Sequence, residues 1–374
     1  MGLEVAKRLR EQVITPLKRR FVGRDEVIEL IALAVVGGEH LFLLGPPGTA
    51  KSALIRHFAG ALHSRYFEYM LTRFSEPNEI FGPVDIARLR DGVVATITEG
   101  MLPRAEFAFL DEIFNANSAI LNNLLTVLNE RTYRRGAELH RLPLLSLFSA
   151  SNSLPEDDAL GALFDRFLLR CHVGNLPRDS MPELLRAGWD LERPAEQSPA
   201  VSADELRALA ALLWQVDLSR ALEPYADAVF KLRDLGVDFS DRRAVKVQKL
   251  LAASALLCGR MTADASDLWV LRYVWDRQEQ IGALRALVDG ILKQAPSQVA
   301  HPLARAGDRV DAEEVAREIE SLDTQINQGG LSLSGIARAK ERLYGLADQL
   351  SWVPEPAARD QLLTRTRSLI ERLG

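Results

Sequence analysis

Four short apolar runs, Leu41–Leu44, Tyr66–Leu71, Phe107–Leu110 and Leu144–Ala150, punctuate the first half of the chain, separated by stretches long enough for crossover helices. Continuous apolarity over so few residues suits strands buried on both faces. The spacing from Phe21 to about Arg170 therefore predicts a parallel sheet with helices on its faces. Ahead of it, Leu3, Leu9, Val13, Ile14 and Leu17 draw an apolar stripe along a helix. Its Lys7, Arg8, Arg10, Lys18, Arg19 and Arg20 read as a solvated basic face in preference to a polyanion site. Past Leu176 the pattern changes: Pro177, Pro182, Pro194 and Pro199 mark a linker-like passage, and from Asp204–Val216 onward the periodicity is helical. Trp189, Trp214, Trp269, Trp275 and Trp352 all lie in this later part, where core packing or helix contact is expected in preference to a binding role. Another boundary at Pro296–Gly307 precedes helical segments over Asp311–Ile326, Ser334–Leu350 and Ala357–Leu373, with Gly329 and Gly330 turning the first back on itself. The predicted layout is a helix over 1–20, a parallel-sheet domain over 21–178, a helical domain over 179–295 and a C-terminal helical hairpin or docking segment over 296–374.

Composition narrows the classes. Lys plus Arg number 46 against 51 Asp plus Glu, a formal charge of -5, so there is no global attraction to nucleic acid or anionic membrane. A hydrophobic share of 47% beside 26% charged residues excludes a disordered chain. The cysteines Cys171 and Cys258, with no signal-peptide core at the start, point to a reducing interior and a cytoplasmic location. Gly37, Gly38 and Glu39 interrupt the most apolar stretch, so no membrane span is expected.

Chemistry concentrates where the runs end. Leu41–Leu44 leads into Gly45, Pro46, Pro47, Gly48, Thr49, Ala50, Lys51 and Ser52, after which Leu54, Ile55, Phe58, Ala59 and Leu62 keep helical spacing. Strand, glycine-rich turn and helix in that order let backbone N–H groups close on phosphate oxygens while a lysine reaches the terminal phosphates and Ser52 holds Mg²⁺. Ala50 stands where the usual pattern has a glycine, and a small residue suffices there if φ is negative. Phe107–Leu110 ends in Asp111 and Glu112, which suit a metal ligand and a base for the attacking water. Alone, the pair reads equally as an acidic helix start. Leu144–Ala150 ends in Ser151 and Asn152, an amide placed for a γ-phosphate or water, or simply a turn residue. No His or Cys spacing matches a zinc site.

Together with Leu163-Phe164-Asp165-Arg166-Phe167 and Ser240-Asp241-Arg242-Arg243, these motifs resemble AAA+ ATPases of the MoxR group, closest to its RavA branch, over Phe21 to Gln280. The resemblance implies an αβα nucleotide domain followed by an all-helical lid, ATP with Mg²⁺, and a homo-oligomeric ring, usually hexameric. By position it makes Asn152 the sensor 1 residue, Arg166 the arginine finger and Arg242, or adjacent Arg243, the sensor 2 residue. Val22 and Gly23, within Phe21–Arg24, correspond to the segment lying along the adenine. An Asp91-Gly92 turn between Ile86–Arg90 and Val93–Thr98 predicts a hairpin. The group's corresponding insert faces the ring pore, so Phe81 and Val93–Ile97 are candidate substrate contacts, or parts of a plain exposed hairpin. Thr132–His140 resembles the group's second hairpin. The activity implied is ATP hydrolysis driving remodelling of a protein client, with a von Willebrand factor A-domain partner. No β-rich stretch like that of the RavA branch occurs past Ala295. Two alternatives stand: a DNA translocase, for which only Arg131, Arg134 and Arg135 cluster suitably, so that nucleic acid is not an expected partner, and a slow ATP-switched scaffold.

Overall fold

The structure is a computed structural model describing residues 2–92, 95–135, 138–155, 157–176, 178–191, 201–294, 299–305, 312–328, 333–350 and 356–373. It divides into two compact units, Met1–His301 and Pro302–Gly374.

In the first unit, strands β1 (Leu41–Leu44), β2 (Tyr66–Met70), β3 (Phe107–Asp111), β6 (Ser146–Ser151) and β7 (Leu169–His172) form one parallel sheet in the order β2-β3-β6-β1-β7. Strands β4 (Thr132–Arg135) and β5 (Glu138–Arg141) form a separate antiparallel hairpin, as the second hairpin segment predicts. The four apolar runs become the inner sheet and its β2 edge, with Phe42, Phe107, Phe109 and Phe148 fully buried. Phe42 packs edge-on to Phe164 at 5.2 Å and against Phe167 at 5.9 Å. The segment bearing Arg166 is thereby anchored to the strand that feeds the glycine-rich loop.

Strand β7 has no counterpart among the sequence-predicted strands, because Arg170 breaks its apolar pattern. Arg170 is nevertheless 0% exposed. Its guanidinium donates to the carbonyls of Phe167 at 3.0 Å and Phe164 at 3.2 Å and pairs with Asp276 at 2.6 Å. Arg243, from the Asp241–Leu257 helix, reaches the same carboxylate oxygen at 2.6 Å. One carboxylate thus ties the sheet edge to the helical part. Burial pushes the Asp276 carboxyl up, but Arg243 and then Arg170 outweigh it and hold it below the ordinary aspartate value. Asp276→Ala should cost about 3–5 kcal/mol, since it strands a buried guanidinium. Urea unfolding would measure this. A carboxyl with a lowered folded value stabilises above its unfolded value, so the gap to wild type should close as pH falls through the folded one.

The amino-terminal segment is helical throughout, with a π-helical stretch at Leu9–Ile14 whose Leu9, Val13 and Ile14 are buried. Its basic residues are less solvated than predicted. Arg10 and Lys18 pair at 3.0 and 2.7 Å with Glu29, a carboxylate 0% exposed in the Asp25–Gly37 helix, and Arg8 pairs with Glu205.

Three further expectations are corrected. Ile86–Arg90 is a helix instead of a hairpin strand, because the Asp85 carboxylate caps it by accepting from the Ala87 and Arg88 amides. A lone Val84–Thr96 bridge accompanies it, and Val93 and Val94 lie outside the described residues. The linker-like passage contains the Met181–Leu191 helix, which starts beside Pro182, a residue compatible with a first helical turn. Among the tryptophans, Trp269 and Trp275 are core, whereas Trp189 and Trp214 are 71% and 81% exposed. Trp352 lies outside the described residues, as do Gly329 and Gly330.

In the second unit the helices Ala312–Gln328, Leu333–Leu350 and Pro356–Arg372 pack around Val315, Ile319, Leu343, Leu346, Leu350 and Leu369. Its described residues contain no strand. Nowhere among the described residues is a helix long and apolar enough to cross a membrane.

Candidate functional site

Strand β1 ends at Leu44, whose register partner in β6 is Ser151. The Gly45 amide donates to the Ser151 carbonyl at 3.0 Å, so the loop departs from the sheet in contact with the end of β6. A Cβ on Gly45 would lie 2.1 Å from the Val173 carbonyl oxygen, which leaves room for glycine alone. Gly48 turns with φ +80° and has open space around its α-carbon. Ala50 corrects the expectation of a negative φ: it sits at +64°, immediately before the Lys51–Ala61 helix. An L side chain in this left-handed region costs about 1–2 kcal/mol, so the missing glycine is a strain here instead of a neutral exchange.

The Thr49 hydroxyl donates to the Pro46 carbonyl at 3.1 Å. Lys51 Nζ donates to the carbonyls of Gly45 at 2.9 Å and Pro46 at 2.8 Å. Burial lowers the Lys51 ammonium's pKa; Asp111 and Glu112 oppose that shift, and Arg24 adds to it. Lys51 and Ser52 open the helix. Backbone amides, a helix start and one ammonium give this loop the chemistry of an anion cradle.

Asp111 is the last residue of β3, and its Oδ1 accepts from the Glu112 amide at 3.0 Å. Glu112 has φ +51°, an unusual conformation for a non-glycine residue, which turns the chain sharply off the strand end. Asn152 is exposed and follows the last residue of β6. The cradle, the two carboxylates and the amide therefore stand at the carboxyl ends of three strands, with β6 between β1 and β3.

Beside the cradle lies a cavity of about 300 Å³ whose lining includes Phe21, Val22, Arg24, Gly48, Ala50 and Leu176. Gly23 has φ +65°, and a Cβ there would come within 2.4 Å of Leu176. The Phe21–Arg24 segment marked in the sequence supplies Phe21, Val22 and Arg24 to this cavity. Its other wall, the Met181–Leu191 helix through Met181, Leu184, Gly188 and Leu191, has no counterpart among the sequence-predicted site residues. The apolar spacing of Met181, Leu184, Leu185 and Leu191 carried that signal beneath the prolines.

Arg166 and Arg242 do not line this cavity. They meet in a second one, of about 170 Å³, together with Lys246. Arg243 also touches it, but its guanidinium is committed to Asp276 and to the Val274 and Asp238 carbonyls. Of the two adjacent arginines, Arg242 is the one left exposed. Phe81, a candidate substrate contact, is 1% exposed and stacked on Tyr133 at 4.6 Å, so it braces the β4–β5 hairpin from within the fold. Ile97 remains 49% exposed.

Residues 7–211 match the family described as the MoxR domain in the MoxR-vWA-beta-propeller ternary systems, and residues 227–288 match the AAA lid domain. Two uncharacterised proteins of Methanocaldococcus jannaschii are each 37% identical to this chain, one over 77% of this chain and 76% of its own length, the other over 72% of each. Chaperone MoxR1 of Mycobacterium tuberculosis is 29% identical over 46% of both chains. A crystal structure of a Cytophaga hutchinsonii protein shares the fold with a TM-score of 0.63 at 18% identity, covering 79% of this chain and 96% of that one. With an αβα domain and helical lid in place and the family match spanning more than half of its length, the chain belongs to the MoxR group of AAA+ ATPases.

Proposed function

We propose that this protein hydrolyses ATP in a homo-oligomeric ring, usually hexameric in the resembled group, and uses the cycle to remodel a protein client. The observation that supports the reading is the separation of the predicted machinery within one chain. Gly45–Ser52, Asp111, Glu112 and Asn152 gather at the strand ends, while Arg166 and Arg242 line a separate cavity. A site completed by a neighbour requires such a division.

The cradle fits a nucleotide polyphosphate: only glycine fits at position 45, open space surrounds Gly48, and the donors are amides and an ammonium. The adjoining cavity suits an adenine, with Val22 on its wall. When bound, ATP with Mg²⁺ supplies the transferable phosphoryl group and the metal charge that neutralises it. Lys51 would pair with the terminal phosphates, Ser52 and Asp111 would hold the cation, and Glu112 would accept the proton of the attacking water. Asn152 would orient that water.

The matched family's description names MoxR and vWA components together, which supports a von Willebrand factor A-domain protein as partner. The name of the Mycobacterium tuberculosis relative supports the chaperone reading. Ile97 and Leu139, both about half exposed, are the client contacts we assign on the two insert segments. The strings around the motifs support a reading near the RavA branch, although the described residues of Pro302–Gly374 carry no β-rich domain like that branch's. A cytoplasmic location is part of the same reading. Lys51→Ala tests the site itself. It removes a charge-assisted pairing worth about 1.5–3 kcal/mol, so ATP should bind at least about tenfold more weakly in calorimetric titration. Unchanged affinity would place the nucleotide elsewhere.

A further inference from the structure

Three cationic side chains share the 170 Å³ cavity with no counter-charge committed to them. Arg166 follows the Asp158–Phe164 helix, and Arg242 and Lys246 are four residues apart, on one face of the Asp241–Leu257 helix. Among the described residues none of the three makes a side-chain hydrogen bond or ion pair. Arg166 Nε is shielded from solvent and has no acceptor. Two carboxylates also line the cavity: Asp165 approaches buried Arg170 at 3.5 Å, and Asp238 is exposed. Glu39, the acidic group nearest to offsetting Lys246, is engaged by Lys249. Arg243 is consumed by Asp276. Excess positive charge therefore faces a small space with its base locked through Asp276 to strand β7. Burial, with Lys249, Arg242 and Arg166 adding to it and Glu39 opposing, depresses the Lys246 pKa, as expected of an ammonium held without an anion.

We propose that Lys246 is a third phosphate-binding cation, which together with Arg166 and Arg242 grips the terminal phosphate of a nucleotide bound in the cradle of a neighbouring copy. The inference rests on the ring reading above and adds to it a residue that the motifs did not mark. A planar guanidinium fixes direction through paired N–H groups, whereas an ammonium acts as a point charge. Lys246 therefore contributes charge at the transferring group, and arginine should replace it better than any neutral residue.

The test uses the full-length protein. Lys246→Met should lower kcat at least about tenfold with KM within about twofold, and Lys246→Arg should restore most of the rate. Mixing Lys246→Met with Lys51→Ala should recover activity, because some interfaces then join an intact cradle to an intact cation cluster. Mixing Lys246→Met with Arg166→Ala should recover none, since both lesions lie in the same half-site. A wild-type kcat for Lys246→Met, or recovery on mixing it with Arg166→Ala, overturns the proposal. If Lys246→Met fails to assemble, Lys246→Gln is read against the same outcomes. Arg166→Ala mixed with Lys51→Ala runs alongside: failure of that pair defeats the ring reading, whereas its recovery beside an unaffected Lys246→Met defeats only the role of Lys246.

Discussion

Glu112→Gln is expected to lower ATP turnover about 10²–10⁴-fold while nucleotide affinity stays near wild type. The amide keeps the volume of the side chain but cannot accept a proton. The local fold should tolerate it, because Asp111 Oδ1 holds position 112 through its backbone amide, a bond unchanged by the substitution. The left-handed turn at φ +51° places no demand that separates Glu from Gln. Single-turnover hydrolysis beside equilibrium binding checks both halves. Hydrolysis within a few fold of wild type would move the base to another group.

Arg166→Ala should reduce turnover by about 10³-fold or more, the scale of an arginine that stabilises transition-state charge from across a subunit boundary. Fold and ATP binding should survive. The Arg166 side chain makes no hydrogen bond or ion pair within the chain among the described residues, and it does not line the cavity beside the cradle. Truncation leaves no buried partner unsatisfied. Thermal unfolding and ATP titration should therefore match wild type while kcat collapses.

The parts of this molecule that were legible in its sequence are those written in one continuous stretch. Leu41–Leu44 and Phe107–Leu110 read as strands because both faces are buried, which erases alternation and leaves plain apolar runs. The cradle was legible because its glycines answer local demands: Gly45 against the Val173 carbonyl, Gly48 at a positive φ. Strand β7 was hidden because Arg170 is buried by partners distant in sequence, Asp276 and the Trp275 carbonyl among them, which no local pattern announces. The Ile86–Arg90 helix was hidden by a glycine that favours hairpins and by an aspartate whose capping role depends on which way the chain turns. Ala50 misled for the opposite reason: a small residue was identified correctly, but its left-handed backbone is imposed by the loop around it. Lys246 carries no motif at all. It becomes visible only when the Asp241–Leu257 helix is set beside the segment after Phe164.

In the proposed function the catalytic site is completed by a second copy of the chain. Arg166→Ala lacks the donated cation, and Lys51→Ala lacks the cradle's ammonium. Each should be nearly inactive alone, but a mixed ring sets an intact Arg166 against an intact Lys51 at a fraction of its interfaces. The decisive measurement is ATPase activity per chain in equimolar mixtures, with co-assembly verified by cross-linking. Partial recovery is expected, rising with total protein concentration as rings form; no recovery in mixtures that demonstrably co-assemble would contradict a site shared between copies.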